Sequence, residues 1–193
     1  MISAILLGAG QSKRMGVDKL SLPWGRGTIL GHCFNMLLGS DVQELVVVLG
    51  IQNEGLKNLF QGRTVKVVVN PYSNKGMSTS IRRGIEALRP KSDGILIALG
   101  DQPFLKTRTI NVLIHAFEQG RGRIVVPSFR GRRGHPAIFD RKYKRELLNL
   151  QGDVGGRSVM ERHPKDVRVV PVKSIGVVTD VDTWQDYKHQ LRV

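Results

Sequence analysis

The sequence predicts an α/β fold in three layers: a mainly parallel sheet, helices on both faces, and an antiparallel addition in the C-terminal part. Three observations lead there. Over residues 1–126, short runs of Val, Ile and Leu alternate with segments of helical periodicity. The strand-like runs are almost continuously apolar, as strands buried on both faces are. The first of them passes directly into the loop Gly8-Ala9-Gly10, as a strand does where it opens at the ligand edge of a parallel sheet.

The elements follow in order. Met1 to Leu7 is the first strand. Thr28 to Leu38 places Ile29, Leu30, Cys33 and Leu37 at helical spacing, and Thr28 suits the cap. Leu45 to Leu49 reads as a buried strand, Asn53 to Phe60 as a short helix, and Val65 to Val69 as a strand ended by Asn70-Pro71. Ser78 to Leu88 is a helix with Ser78 or Thr79 as its cap, stopped by Arg89-Pro90. Ile95 to Leu99 is the central strand, Thr107 to Phe117 a helix, and Ile124 to Val126 a strand. From Pro127 the alternation breaks. The antiparallel addition belongs here, with short helices near Lys142 to Leu148 and Arg157 to Arg162, a strand at Val167 to Val170 and a closing helix at Thr183 to Leu191. No internal repeat, low-complexity tract or linker interrupts the 193 residues, which favours a single domain.

Composition narrows the function classes. One cysteine, Cys33, excludes an internal disulfide and points to a reducing, cytoplasmic setting; its place in an apolar-periodic segment makes it a core residue. No run has the length of a membrane span, and the first residues lack the basic and apolar regions of a signal peptide. The formal net charge of +14 implies an anionic partner. Between Arg121 and Arg145 nine basic residues face one acid, Asp140. Aromatic content is 6% and no nucleic-acid recognition motif is present, so the charge does not argue for a specific nucleic acid.

Several stretches can carry chemistry. In Leu7-Gly8-Ala9-Gly10-Gln11-Ser12-Lys13-Arg14-Met15-Gly16-Val17-Asp18-Lys19, glycines let amides approach a phosphate, and Lys13, Arg14 and Lys19 can neutralise it. The spacing fits neither the Walker A loop nor the dinucleotide fingerprint. Asp101, just past the central strand in Leu99-Gly100-Asp101-Gln102-Pro103, is the first candidate for a Mg²⁺ ligand; its local alternative is a cap or turn before the Thr107 helix. Asn70-Pro71 through Gly76-Met77-Ser78-Thr79-Ser80 leads into a helix start rich in hydroxyls and free amides. His135 in Gly134-His135-Pro136 could be a base, a ligand or a hydrogen-bond donor, without the spacing of a zinc site. Gly152-Asp153-Val154-Gly155-Gly156-Arg157 offers an acid and a guanidinium in a Gly-rich turn. In Thr179-Asp180-Val181-Asp182-Thr183, Asp182 or Thr183 suits the cap of the last helix, leaving Asp180 over.

Together these stretches resemble the MobA-like NTP transferases, and within them the molybdenum cofactor cytidylyltransferases. The match runs in order from the Gly8–Lys19 loop and Leu20-Ser21-Leu22-Pro23-Trp24-Gly25 through Asn70–Ile81, Gly100-Asp101, Gly134-His135-Pro136 and Gly152–Arg157, nearly the whole chain. One position departs: the cytidylyltransferase loop usually has two alanines before its second glycine, and the first of them is Gly8 here.

The resemblance implies a three-layer Rossmann-like nucleotidyltransferase fold, with an NTP-binding half at about 1–105 and an acceptor half at about 106–193. It implies transfer of CMP from CTP to the phosphate of a molybdopterin-type cofactor, with GTP as donor or a sugar phosphate as acceptor left open. Lys19, Arg14 and Asp101 become catalytic. Leu7, Gly8, Ala9, Gly10, Gln11, Ser12, Lys13, Gly76 and Ser80 bind the nucleotide. Asp101 and Asp180 hold Mg²⁺, and His135, Asp153, Arg157 and Arg132 contact the acceptor. Transient contact with a molybdoenzyme or its maturation chaperone is also implied.

Overall fold

The computed structural model describes residues 1–10, 12 and 15–190. In chain order the elements are β1 (Ile2–Gly8), β2 (Pro23–Trp24), β3 (Gly27–Thr28), α1 (Ile29–Leu38), β4 (Glu44–Gly50), β5 (Lys66–Asn70), α2 (Met77–Ala87), β6 (Gly94–Leu99), α3 (Thr107–Glu118), β7 (Ile124–Phe129), β8 (Arg132–Arg133), β9 (Ala137–Asp140), α4 (Lys144–Leu148), α5 (Arg157–Arg162), β10 (Val167–Pro171) and α6 (Trp184–Gln190).

The main sheet has the order β10-β7-β9-β6-β1-β4-β5, and β8 pairs with β7. β1 lies between β4 and β6, parallel to both, with Leu7 opposite Val48 and Leu99. The antiparallel strand is not an appendage at the sheet's edge. β9 is inserted inside the sheet, antiparallel to β6 on one side and to β7 on the other. Its side chains explain the position: Ala137, Ile138 and Phe139 are all buried, which only an interior strand achieves.

Two cores confirm the three layers. Ala4 and Leu6 of β1 face α1 and α3 through Ile29, Leu30, Phe34, Ile110 and Leu113. Ile5 and Leu7 face the opposite way, onto Ile81 and Ile85 of α2 and Val159 of α5. Alternate strand residues thus serve opposite layers, as the period of a strand requires.

Local chemistry accounts for most boundaries. Thr28 caps α1, its hydroxyl accepting from the Gly31 amide at 3.1 Å. The short helix expected at Asn53 to Phe60 is a 3-10 helix over Ile51–Phe60; the segment has no capping side chain and carries Gly55 in its middle. The sequence also hid a hairpin, β2–β3, whose turn at Gly25 takes φ +57°. Among the described residues no helix is long and apolar enough to cross a membrane.

α2 packs so closely on β1 that a Cβ at Gly84 would lie 2.5 Å from Ile5 Cγ2. Ile5 is wholly buried and has nowhere to move. Gly84→Ala gains ~1 kcal/mol of helix propensity but overpacks the core at a cost of ~1–3 kcal/mol. The expected outcome is net destabilisation, read as a lower urea midpoint; a raised midpoint would mean the helix–sheet contact is looser than this.

Candidate active site

The ligand edge of the sheet holds a cavity of about 680 Å³. β1, β5 and β6 end beside it, and the loops that follow them supply its walls. The loop after β1 contributes Ala9, Gly10 and Ser12; the loop after β5 contributes Asn74, Lys75 and Gly76; the end of β6 leads to Asp101.

Lys19 occupies the floor. It is 7% exposed, and its Nζ contacts Asp101 Oδ2 at 2.6 Å and Asp182 Oδ1 at 2.8 Å. Burial pushes the ammonium's pKa down, but Asp101 and Asp182 more than offset this and hold it above its ordinary value. Asp101 Oδ1 is buried without a hydrogen-bond partner among the described residues, an edge of that carboxylate on which a ligand could bind. Asp180 lines the same cavity. Its pKa is raised by burial and then by the charges of Asp101 and Asp182, against which Lys19 pulls it down.

Each of these side chains is placed by backbone contacts. The Lys19 amide donates to Ser12 Oγ at 3.1 Å, and Ser12 itself takes φ +48°. The amides of Met15 and Gly16 donate to the Ser12 carbonyl, closing the turn. Asp101 is not the cap of α3, where Lys106 stands. The Val181 amide donates to the Asp101 carbonyl at 2.9 Å and brings the segment before α6 against the end of β6. Thr183 and Asp186 form a reciprocal cap on α6: the Thr183 amide donates to Asp186 Oδ2 at 2.8 Å, and the Asp186 amide to Thr183 Oγ1 at 3.1 Å. Thr183 is therefore the cap, and Asp182 is turned to Lys19.

The hydroxyl-rich start of α2 is built differently from the sequence expectation. Gly76 takes the cap position, and the cap groups come from a distant loop. The Met77 amide donates to Asp153 Oδ1 at 3.1 Å, and the Ser78 amide to the Gly152 carbonyl at 3.3 Å. Gly76 has φ +106°, and a Cβ there would sit 2.4 Å from Gly152 backbone atoms. Asn70 Nδ2 donates to Thr79 Oγ1 and to Ser80 Oγ, tying the end of β5 to the helix.

Of the residues singled out by sequence, the cavity brings together Leu7, Ala9, Gly10, Ser12, Lys19, Gly76, Ser80, Asp101, Asp153 and Asp180. Gly8 is buried beside it; a Cβ there would meet Leu30 Cδ1 at 3.1 Å and Leu49 Cδ2 at 3.3 Å. Those two leucines fill the space an alanine methyl would need. His135 is half-buried, not a lining residue, and its pKa is lowered by burial despite the nearby Asp101. Its amide donates to the Val177 carbonyl at 2.8 Å. Arg132 is exposed on β8, and Arg157 pairs with Glu161 at 3.0 Å, both away from the lining. Gln11, Lys13 and Arg14 lie outside the described residues. Sequence reading missed Asp182 as a partner of Lys19, and Lys75, whose Nζ stands 5.0 Å from the Tyr72 ring centroid. The signal for Lys75 was present, since it adjoins Gly76.

The comparisons with known proteins fit this geometry. The model of the family described as MobA-like NTP transferase domain matches residues 4–167. The nicotine blue oxidoreductase of Paenarthrobacter nicotinovorans is 29% identical, over 94% of this chain and 92% of that one. The molybdenum cofactor cytidylyltransferase of Escherichia coli K12 is 24% identical over 96% and 93%. A molybdenum cofactor guanylyltransferase of Mesorhizobium japonicum is 31% identical over 84% and 79%. Among solved structures, Rv0371c of Mycobacterium tuberculosis H37Rv superposes with a TM-score of 0.87 at 29% identity, covering 100% of this chain and 98% of that one. A complex of Rv0371c with manganese gives 0.83 at 27% identity, over 99% and 98%.

Asp153 was expected at the acceptor; it lines the cavity, and its Oδ1 also caps α2. Asp153→Ala should therefore lower stability by about 1 kcal/mol, as loss of a capping side chain does. Urea unfolding reads this directly, and an unchanged midpoint would return Asp153 to a purely ligand-facing role.

Proposed function

The chain belongs to the MobA-like NTP transferase family, and from that premise we propose that it transfers CMP from CTP to the phosphate of a molybdopterin-type cofactor. An oxygen of the acceptor phosphate attacks the α-phosphorus, the bond from the α-phosphorus to the bridging oxygen breaks, and pyrophosphate leaves. No covalent enzyme intermediate is required. The chain's work is alignment of two phosphates and neutralisation of the charge that develops between them.

The observation that carries this reading is the buried Lys19 held by two carboxylates on the floor of a glycine-walled cavity. The loop amides near Ala9 and Gly10 face the triphosphate, with Lys13 and Arg14 as its counter-charges. Lys19 serves the α-phosphate. Gly76 and Ser80 border the nucleoside. Among the described lining residues, Asp101, Asp153, Asp180 and Asp182 outnumber Lys19 and Lys75, so cations beyond these two, Lys13, Arg14 and a metal ion, are needed to offset them beside a triphosphate. The donor set, with the orphaned Asp101 Oδ1, suits Mg²⁺, which is normally held by one or two carboxylates together with substrate phosphates. Asp101 with Asp182 or Asp180 would hold it, and when bound it supplies charge neutralisation at the phosphate oxygens.

The acceptor half follows from charge. β7 ends at the ligand edge, and its hairpin with β8 carries Arg130, Arg132 and Arg133, none of which forms an ion pair among the described residues. The hairpin's base is docked on Val177, three residues ahead of Asp180. His135 and Arg132 belong to this acceptor side. Asp153 and Arg157 border it from the loop that caps α2.

Pyrophosphate release should appear with CTP and a molybdopterin-type acceptor and require a divalent metal. Release with GTP alone among the triphosphates would assign guanylyl transfer instead, and release with none would overturn the reading. Asp101→Ala should cut kcat by about two orders of magnitude or more with the fold retained, because Asp182 still holds Lys19. Replacing Arg130, Arg132 and Arg133 together by Ala should weaken acceptor binding by about tenfold or more, the worth of one or two charge-assisted hydrogen bonds. CTP affinity should stay unchanged; an equal fall in both would make the hairpin a general electrostatic funnel.

A further inference from the structure

Lys19 stands where a divalent cation would stand. Its Nζ lies within 2.8 Å of an oxygen from each of two carboxylates, Asp101 at the end of β6 and Asp182 just before α6. Two carboxylate oxygens that share one ammonium nitrogen are close enough to share one metal ion. Yet the same ammonium is assigned to the substrate's α-phosphate. With both contacts in place one of its three N–H groups is left, and a metal ion that takes the same two oxygens meets like charge. The ammonium and a metal ion cannot both hold those two oxygens in the arrangement observed.

We propose that Lys19 is an exchangeable internal counter-ion, holding the cation position until a metal–nucleotide complex arrives and then passing from the carboxylates to the phosphates. This inference rests on the reading of the cavity as a metal-dependent nucleotidyl-transfer site, but not on which base or acceptor it uses.

The charge balance favours such an exchange. Among the described residues, Asp101 and Asp182 share the Lys19 ammonium and Asp180 lines the same cavity. Removing Lys19 with no replacement would take one cation away from this group of acids. When metal and triphosphate enter together, each partner of the old ion pair gains a new one: the carboxylates gain the metal, and the ammonium gains phosphate oxygens. When metal enters alone, the ammonium is displaced with nothing to receive it. Free metal is therefore held weakly, and metal and nucleotide bind cooperatively. A four-carbon stem gives the ammonium the reach to move while its backbone stays fixed, because the Lys19 amide remains bonded to Ser12 Oγ.

The test uses Mn²⁺ alone as probe, titrated into the full chain without nucleotide and followed by electron paramagnetic resonance of the free ion. Lys19→Met keeps the stem and removes the charge. The expected result is Mn²⁺ affinity raised by about tenfold or more over the wild type, since a like charge leaves a partly buried carboxylate site. Lys19→Arg keeps the charge and should show no gain, and circular dichroism melts confirm that each variant is folded. Adding Asp101→Asn to Lys19→Met should abolish the gain. Equal or weaker Mn²⁺ binding in a folded Lys19→Met variant would overturn the exchange, as would a gain that survives Asp101→Asn. If the wild type fails to bind Mn²⁺ even together with a non-hydrolysable nucleoside triphosphate, the metal-dependent reading itself fails. If it binds that complex while Lys19→Met gains nothing for Mn²⁺ alone, only the exchange fails.

Discussion

The candidate site depends on one buried ammonium. Lys19 follows the glycine-containing loop after β1, and its charge is almost fully withdrawn from water. A lone ammonium there would be costly; in such settings breaking a pair leaves an uncompensated charge worth ~3–5 kcal/mol when both groups are fully buried. Here the acids' side chains keep 21% and 28% of their exposure, so screening reduces that figure. Even so, the two carboxylates are what allow Lys19 to sit inside. In return the ammonium ties together three segments that are far apart in sequence: the loop after β1, the end of β6 and the approach to α6.

The second carboxylate is available only because the C-terminal segment is fastened down. Val181 bonds to the Asp101 backbone, and the Thr183–Asp186 cap fixes where α6 begins. Trp184 Nε1 donates to the Met15 carbonyl at 3.1 Å, and Tyr187 Oη to the Pro23 carbonyl at 2.7 Å. Each such bond is worth about 1 kcal/mol. Trp24 joins them, its ring 5.1 Å from Phe104 and 6.4 Å from Tyr187. The β2–β3 hairpin is thus the seat of the last helix. It holds α6 across the N-terminal loop and keeps Asp182 on Lys19.

These contacts explain what was legible in the sequence. Strands buried on both faces and helices with one apolar stripe announce themselves locally, so β1, β4, β6 and the α1–α3 helices were readable from residue type and spacing. The insertion of β9 between β6 and β7 was not, since strand order is decided by which buried face fits which gap. At the site, Asp101 and Lys19 were readable because each sits in a motif at a strand end. Asp182 was not, because two neighbours, Asp182 and Thr183, suit the cap equally well, and only the Asp186 bond to Thr183 decides between them. Asp153 shows the reverse. An acid beside a Gly-rich turn reads as a ligand contact, while its partner, the Met77 amide, lies 76 positions away.

The distribution of charge carries a last consequence. The whole chain has a formal net charge of +14, yet the described lining of the cavity has twice as many acids as lysines. The positive field of the chain raises the local concentration of anions and speeds their encounter. At the floor, an anion drawn in meets Asp101, Asp180 and Asp182 as well as Lys19. Under the proposed reading the cations that offset those carboxylates are Lys13, Arg14 and a metal ion, so the basic surface and the acidic floor serve different steps: the first gathers a phosphate ligand, and the second sets which cations must accompany it.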